Sequence, residues 1–310
     1  MITKNTPTLI ILLGPTAVGK TRLAIELALW LDTSILSTDS RQFYKEMNIG
    51  TAKPTLEEQA KVTHYLIDFL SVQDHYDVKR FEEDALMCLS NIFQDKPYAI
   101  ATGGSGLFVK TLCEGIDEMP DIPDNIRTNL QKRLEEKGLE NLLSELHKVD
   151  PEYYEEVDVH NHRRIIRALE VYHACGQPYS SYRKKSGSVE RPFEIIMLGL
   201  NRDRTELYDR INHRVDQMIE EGLFEEAASL FPFRHQNALH TVGYQEIFPY
   251  LQGEYDQEEA IRLIKRNTRR FAKRQLTWFR KDPEVKWFEL SGREELALQE
   301  IKDYLKIRLK

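Results

Sequence analysis

A glycine-bounded loop between an apolar run and an amphipathic segment constrains the fold of this chain more than any other feature. The loop is Gly14-Pro15-Thr16-Ala17-Val18-Gly19-Lys20-Thr21, and it lies between Thr8–Leu13 and Thr21–Leu31. The first flanking run has the composition of a buried strand, and the second carries apolar residues at helical spacing. The N–H groups of such a loop, with the start of the following helix, form a concave anion site. A chance glycine turn is the alternative, but the context favours a phosphate-binding loop.

Two side chains add to the predicted phosphate site. Lys20 supplies a positive charge, and the hydroxyl of Thr21 can bind a Mg²⁺ ion that the phosphates share. The loop by itself leaves open which phosphate compound binds there and what happens to it.

Size and composition limit the class of protein. The chain has 310 residues, of which 41% are hydrophobic and 30% charged, so about two domains with a substantial core are expected. No apolar run approaches the length of a membrane span, and the N-terminus lacks the pattern of a signal peptide. Cys88, Cys113 and Cys175 lack metal-ligand spacing, which favours reduced thiols in a cytoplasmic protein. The net charge of −7 argues against a protein that coats nucleic acid with its whole surface, but it is compatible with a local basic patch.

Strand and helix patterns alternate through the first hundred residues. After the first strand and helix, the candidates are a strand at Ser34–Thr38, a helix at Phe81–Phe93 and a strand at Pro97–Thr102. Such alternation predicts an α/β fold in which a parallel sheet has flanking helices and binds ligands at the carboxyl ends of its strands.

The pattern changes after Pro120 and Pro123. From Asp124 to Cys175 the chain has an almost continuous helical pattern, which predicts an inserted all-helical domain. The later candidates are a strand at Phe193–Leu200, helices near Arg204–Glu221 and Gln257–Phe279, a strand at Val285–Phe288 and a terminal helix. The sequence therefore predicts a P-loop α/β core of residues 1–116 and 191–310, with a helical insertion at 117–190.

A carboxylate follows the second predicted strand. Asp39 begins the segment Asp39-Ser40-Arg41-Gln42, and the end of that strand lies beside the phosphate loop in an open parallel sheet. Asp39 could bind metal or accept a proton from a nucleophile that attacks the phosphate compound. Alternatively it could be a helix N-cap.

Two glycine-containing segments are expected near the same crevice. Gly50–Pro54 has a small, approachable backbone, and Gly103–Phe108 follows the third strand, although either could be a tight turn. The chain lacks an Asn-Lys-x-Asp motif and a strand that ends in a clear metal-binding Asp of the ATPase type. These absences favour a phosphate group that leaves rather than one that supplies energy.

Basic residues cluster near the C-terminal end without an intervening Asp or Glu. Aromatic residues are interleaved with them, which favours contact with a nucleic-acid backbone, although acidic residues elsewhere could balance the charge. The cluster between Ala260 and Lys281 comprises Arg262, Lys265, Arg266, Arg269, Arg270, Lys273, Arg274, Arg280 and Lys281.

Two smaller basic clusters lie in or near the predicted insertion. Arg163, Arg164 and Arg167 open a predicted helix, and Arg183-Lys184-Lys185 follows it. Three separate basic clusters in an acidic protein favour a long polyanion over a small metabolite.

Taken together, these motifs resemble the bacterial tRNA dimethylallyltransferases, also called tRNA isopentenyltransferases. Ser105 and Phe108 stand where that family commonly has Thr and Tyr, and neither change removes a group that the chemistry needs. The matching segments span nearly the whole chain in the family's order: Gly14–Thr21, Asp39–Tyr44, Gly50–Pro54, Tyr65–Asp68, Gly103–Phe108, Arg164–Val171, Val242–Glu246 and Ala272–Arg280.

The resemblance implies a reaction and its partners. A dimethylallyl group would pass from its diphosphate to N6 of adenosine 37, beside the anticodon of tRNA, with release of diphosphate. The fold implied is a P-loop α/β domain with a helical insertion that contacts tRNA. Asp39 would be the base, because the N6 amine is a weak nucleophile and gains from a proton acceptor. Lys20, Thr21 and Mg²⁺ would stabilise the departing diphosphate, held by Gly14, Pro15, Thr16, Ala17, Val18 and Gly19.

The resemblance also implies contacts with tRNA. These are expected at Asp39, Ser40, Arg41, Gln42, Ser105, Arg127, Arg163, Arg164, Ile165, Ile166 and Arg167, and the basic segment adds Lys273 and Arg274. Arg210 and Arg214, four residues apart on one predicted helix, could clamp the diphosphate or pair with Asp209 or Asp216.

Other functions remain open at this point. A kinase of small metabolites would use ATP, and an adenylate isopentenyltransferase would act on free nucleotides, but neither explains the basic clusters. A non-catalytic RNA-binding protein would not need an intact Lys20, Thr21 and Asp39. A monomer is expected, since the sequence contains no obvious self-complementary apolar face.

Overall fold

The chain divides into two compact units. The computed structural model describes residues 6–183 and 189–309. The first unit comprises Met1–Cys113 and Glu190–Lys310, and the second comprises Glu114–Val189. The second unit is thus an insertion between two segments of the first.

The first unit contains a six-stranded sheet with the order β3-β2-β4-β1-β5-β6. Each strand runs parallel to its neighbours. The predicted α/β fold class with a parallel sheet is confirmed. The strands are β1 (Thr8–Leu13), β2 (Ile35–Ser37), β3 (His64–Tyr65), β4 (Tyr98–Thr102), β5 (Glu194–Asn201) and β6 (Lys286–Glu289).

The central strand β1 explains why the sheet forms. All six of its residues are buried, and Ile10 pairs with Ile100 of β4 on one side and Ile196 of β5 on the other. Full burial of each such side chain contributes about 1.5–3 kcal/mol. Because the strands are parallel, the loops that follow β1, β2 and β4 emerge at one edge of the sheet.

Helices cover the sheet, whose two faces belong to two separate apolar clusters. This unit contains α1 (Lys20–Leu31), α2 (Leu56–Lys61), α3 (Val78–Asp95), α4 (Gly106–Glu114, its last residue in the second unit), α9 (Arg204–Glu220), α10 (Leu223–Leu230), α11 (Tyr244–Leu251), α12 (Gln257–Phe279) and α13 (Glu294–Arg308); 3₁₀ turns occupy Phe231–Phe233 and Asn237–Leu239.

The second unit is helical and has its own apolar core, which includes Leu142, Ile165 and Leu169. Its helices are α5 (Asp124–Val149), α6 (Pro151–Glu156), α7 (His162–Cys175) and α8 (Tyr179–Arg183). Helix α5 is interrupted at Gly138, which has a φ of 76° that glycine adopts at little cost. Among the residues that the structure describes, no helix is both long and apolar enough to cross a membrane.

Candidate active site

The phosphate loop connects β1 to α1, and its backbone is held in unusual conformations. Gly14 and Gly19 have φ values of 153° and 113°, and Ala17 has a φ of 63°. A Cβ at Gly14 would lie 2.8 Å from the carbonyl oxygen of Leu200, so close packing requires glycine there. Left-handed backbone at a non-glycine residue such as Ala17 costs on the order of 1–3 kcal/mol. Strain of this kind is typical of functional loops.

The first turn of α1 has no side-chain cap. Gly19 is its N-cap residue, and glycine has no side chain that could cap the helix. The N–H groups that open a helix have no partner within the helix, and they favour an anion. This end of α1 therefore provides donors for a phosphate group.

Lys20 lies under the same loop. Its Nζ donates hydrogen bonds to the carbonyl oxygens of Gly14 (2.9 Å) and Pro15 (2.8 Å). Burial lowers the pKa of Lys20 to about 7; the charge of Asp39 opposes this shift, and that of Arg214 adds to it. The ammonium form would be favoured again by a bound anion.

Asp39 follows β2 and faces this cluster of charge. It is half-buried, its Oδ1 accepts a hydrogen bond from the N–H of Arg41 (3.0 Å), and no helix follows until α2. Asp39 is therefore not a helix N-cap. Burial raises the pKa of Asp39, although the N–H of Arg41 and the charge of Lys20 oppose the rise. A carboxylate with a raised pKa is a better proton acceptor than an exposed one.

The loop after β4 completes this edge of the sheet. Ser105 Oγ accepts a hydrogen bond from the N–H of Ser40 and donates one to Ser40 Oγ, both at 3.0 Å. A Cβ at Gly103 would lie 2.4 Å from Thr38, and a Cβ at Gly104 would lie 3.8 Å from Asp39 Oδ2. The small residues of this loop therefore allow it to pack directly against the Asp39 turn.

Gln42 joins the Asp39 turn to the loop at Gly50–Pro54. Its Nε2 donates to the carbonyl oxygens of Thr51 and Ala52, each at 3.3 Å, and its Oε1 accepts from Ser37 Oγ at 3.3 Å. With these bonds its amide is fixed in one orientation.

A carboxylate that the sequence did not single out fixes the same loop. Glu226 accepts hydrogen bonds from the N–H groups of Asn48, Ile49 and Gly50 at 2.8–2.9 Å, and from the hydroxyl of Tyr244 at 2.6 Å. A Cβ at Gly50 would lie 2.6 Å from the Tyr244 ring. The Val242–Glu246 motif thus contributes to the packing of Gly50–Pro54.

Arg210 and Arg214 of α9 differ in their surroundings. Arg210 donates from Nε to the carbonyl oxygen of Ala17 (3.0 Å) and lies 3.7 Å from Glu294. Within 6–183 and 189–309, no hydrogen bond or ion pair joins Arg214 to another residue, and burial lowers its pKa. Among the described residues, neither Asp209 nor Asp216 forms an ion pair with these arginines, and Asp216 pairs instead with Lys265 at 2.5 Å. Arg214 is thus an unpaired cation whose charge reaches Lys20.

Comparison with known proteins identifies the family. Residues 42–282 match the family model described as IPP transferase. The chain belongs to the IPP transferase family. It is 50% identical to tRNA dimethylallyltransferase 2 of Parabacteroides distasonis, over 90% of this chain and 93% of the relative. It is 52% identical to the tRNA dimethylallyltransferase of Christiangramia forsetii, over 91% and 93%.

A solved structure of the family supports the same conclusion. The tRNA isopentenylpyrophosphate transferase of Bacillus halodurans is 36% identical, and the match covers 98% of this chain and 97% of that one with a TM-score of 0.73. The predicted family and the enzyme class, a prenyltransferase, are therefore confirmed.

Most of the basic segment of this IPP transferase family member lies on α12, with Arg280 and Lys281 just beyond its end, and its cations differ in their partners. Arg262 pairs with Glu259 and Lys265 with Asp216, so part of the charge is balanced by acidic residues. Lys273 and Arg274 are exposed, and in the described part of the chain neither pairs with a carboxylate. Arg274 lies over the ring of Phe271, which is itself 38% exposed.

In the helical unit, the predicted tRNA contacts divide between surface and core. Arg163 and Arg164 are exposed at the start of α7. Ile165 and Ile166 are only 0% and 7% exposed and pack in the core of this unit. Their burial in that core leaves Arg163 and Arg164 as the exposed residues at this end of α7, and contact of Ile165 and Ile166 with tRNA stays a prediction.

Arg127 and Arg167 have a structural role in the same unit. Both donate to Glu170, which is 1% exposed; the shortest of these bonds joins Arg127 Nε and Glu170 Oε1 at 2.6 Å. A buried carboxylate requires such partners. Arg183 pairs with Glu156, while Lys184 and Lys185 of the predicted third cluster lie outside the described residues.

Proposed function

We propose that the protein transfers the dimethylallyl group of dimethylallyl diphosphate to N6 of adenosine 37 in tRNA. The proposal rests on one observation above all. The half-buried carboxylate of Asp39 lies within electrostatic reach of Lys20 at the phosphate loop, and the pKa of Asp39 is raised. The names of the relatives, which are tRNA dimethylallyltransferases, support the choice of substrates.

The proposed step balances without another reactant. The N6 lone pair attacks the first carbon of the dimethylallyl group, and the bond from that carbon to the diphosphate oxygen breaks. The electron pair of the broken bond stays with the diphosphate, and Asp39 takes the proton that N6 loses. Lys20, Arg214 and the N–H groups at the start of α1 stabilise the negative charge that develops on the leaving group.

A Mg²⁺ ion fits the residues at this site. Among the described residues, no group of three or more His, Cys, Asp or Glu side chains could hold a metal by themselves. Mg²⁺ is commonly held by one or two protein oxygens together with substrate phosphates and water. The Thr21 hydroxyl would be the protein ligand, and the ion would supply charge that neutralises the leaving diphosphate.

The tRNA is proposed to bind through its anticodon stem-loop. Exposed cations would contact its phosphates, and the residues around Asp39 would contact the target base. Lys273, Arg274, Arg163 and Arg164 would contact phosphates, since all four are exposed cations. The target adenine would leave its stack to reach Asp39, where Ser40, Arg41, Gln42 and Ser105 surround the carboxylate. We further propose that the protein acts as a cytoplasmic monomer.

A single incubation tests the proposed function. The protein and Mg²⁺ are mixed with unmodified tRNA and either dimethylallyl diphosphate or ATP, and in parallel AMP replaces the tRNA. We expect the tRNA to gain the mass of one dimethylallyl group without ATP. Transfer of phosphate from ATP to a small acceptor, or prenylation of AMP in preference to tRNA, would contradict the proposal.

Salt dependence tests the proposed phosphate contacts. Replacing both Lys273 and Arg274 by Ala is expected to flatten the slope of log Kd for tRNA against log salt concentration by about one unit for each lost contact. The slope is measured by filter binding over a salt series. The double variant Lys302→Ala, Lys306→Ala on α13 changes net charge equally and should keep the wild-type slope. An unchanged slope in the α12 variant would place the RNA elsewhere.

A further inference from the structure

A buried amide on the basic helix α12 contacts the phosphate loop. Gln275 is 6% exposed, and its Oε1 accepts a hydrogen bond from the N–H of Thr16 at 2.8 Å. Its Nε2 donates to the carbonyl oxygen of Gly104 at 2.9 Å. Both polar atoms of this side chain are therefore used, and both partners are backbone groups of loops that line the proposed site.

The second partner of Gln275 lies beside the proposed base. A Cβ at Gly104 would lie 2.2 Å from Gln275 Nε2 and 3.8 Å from Asp39 Oδ2. One side-chain amide thus touches the loop that would hold the diphosphate and the backbone against which Asp39 packs. A side chain there needs one acceptor and one donor, because an unpaired buried N–H or C=O costs about 1–3 kcal/mol.

The same helix carries the unpaired cations on its exposed side. Lys273 and Arg274 directly precede Gln275 and are exposed. The buried side chain of Gln275 therefore contacts the loop after β4, while these two cations on the exposed side of α12 are available to a polyanion. Because a helix behaves as a rigid element, RNA bound to Lys273 and Arg274 would also restrict the position of Gln275 on the same helix.

We propose that Gln275 is a positioning residue that couples RNA binding on α12 to the shape of the diphosphate site. This inference rests on the proposed function. Occupancy of Lys273 and Arg274 by RNA fixes α12, and Gln275 then holds Thr16 and Gly104 at the separation in which the phosphate loop and Asp39 act on the same substrate. Coupling between two sites is reciprocal, so bound diphosphate also tightens RNA binding by the same factor.

The test measures this coupling directly. The affinity for pyrophosphate with Mg²⁺ is measured by calorimetry with and without saturating unmodified tRNA, for the wild type and for Gln275→Met. Methionine keeps the length of the side chain and removes both hydrogen bonds. We expect tRNA to tighten pyrophosphate binding of the wild type by about 5–150-fold. In Gln275→Met this ratio is expected to fall close to one.

Controls separate this effect from general damage to the fold. Thr268→Val, on the same helix, removes a hydroxyl that donates to the carbonyl oxygen of Ile264 within α12, and it should keep the wild-type ratio. Gln275→Glu keeps the acceptor for Thr16 but loses the donor to Gly104, and it should retain part of the coupling. It therefore serves if Gln275→Met does not fold.

Two results would overturn the inference. One is a wild-type protein whose pyrophosphate affinity does not respond to tRNA, and the other is a full wild-type ratio in the Gln275 variants. Either result together with normal prenylation of tRNA would contradict only the role of Gln275. Absence of prenylation by the wild type would instead contradict the proposed function.

Discussion

Replacing Asp39 by Asn is expected to lower kcat for tRNA prenylation by about 10²–10⁴-fold, the usual contribution of a positioned general base. The asparagine keeps the shape of the side chain and the oxygen that accepts the N–H of Arg41. It cannot take the proton that N6 loses. Single-turnover kinetics with dimethylallyl diphosphate and tRNA measure the loss, and tRNA affinity should stay largely intact.

A matched variant distinguishes loss of the base from loss of any carboxylate. Asp77 caps α3 in the same unit by accepting the N–H of Arg80 at 3.0 Å. Asp77→Asn keeps an acceptor there and should leave kcat unchanged. If Asp39→Asn retained nearly the wild-type rate, Asp39 would not be the base.

The pH dependence provides a second readout for Asp39. Burial raises its pKa, so the carboxylate becomes protonated, and fails as a base, at a higher pH than an exposed aspartate would. The pH–rate profile of the wild type should therefore have an acid limb, where the rate falls as the pH is lowered, and this limb should lie at a higher pH than an exposed aspartate would give. In Asp39→Asn that limb should be absent, whereas a limb of unchanged position would belong to another group.

The helices and strands whose apolar pattern extends over many consecutive residues could be predicted from the sequence. Strands β1 and β5 are long apolar runs, and α12 has a helical apolar pattern over its whole length, so their positions agree with prediction to within one residue. Strand β3 could not be predicted, because His64 and Tyr65 are too few residues to show a period.

Contacts between distant segments could not be predicted in the same way. Glu226 lies 176–178 residues from the N–H groups it accepts, and Gln275 lies 259 residues from Thr16. Nothing near either residue indicates its partner. The sequence does show a Gln on the apolar face of the basic helix, beside Ala272 and Phe279. A polar side chain on such a face requires hydrogen-bond partners, which indicates a contact but not which residues make it.

The burial of Ile165 and Ile166 could have been predicted from the helical pattern of α7. The resemblance assigned RNA contact to a continuous stretch from Arg163 to Arg167, but a helix presents only part of such a stretch to one side. Ile165, Ile166 and Leu169 share the apolar face of α7 and are buried. Helical spacing alone would have separated these residues from the arginines.

Replacing Lys20 by Met is expected to reduce kcat/KM for dimethylallyl diphosphate by about 10²–10³-fold, the usual cost of one donor to a developing oxyanion. Methionine fills a similar volume but brings no charge to the phosphate loop. The matched variant Arg22→Met removes a cation from the same helix whose partners are Glu294 (2.9 Å) and Glu295, both outside the loop. Arg22→Met should therefore retain the wild-type kcat/KM in the same assay.

The pKa of Lys20 gives this prediction a thermodynamic signature. Because the pKa is about 7 in the free protein, Lys20 is protonated at pH 6 and largely neutral at pH 8. A bound anion favours the ammonium and raises its pKa, so pyrophosphate binding at pH 8 should take up close to one proton. Relative to Lys20→Met titrated in the same way, affinity should be constant below pH 6 and fall by up to tenfold per unit as pH rises above 7.

Calorimetry at pH 8 in two buffers of different ionisation enthalpy measures the uptake, and the same titration with Lys20→Met subtracts the protons of pyrophosphate itself. The wild type should show the extra proton and the variant should not. Equal uptake by the two proteins would mean that the protonation state of Lys20 does not change on binding, as expected if it is already charged when the site is empty. The ammonium would then reach the diphosphate by exchanging its hydrogen bonds to Gly14 and Pro15, without any change in protonation.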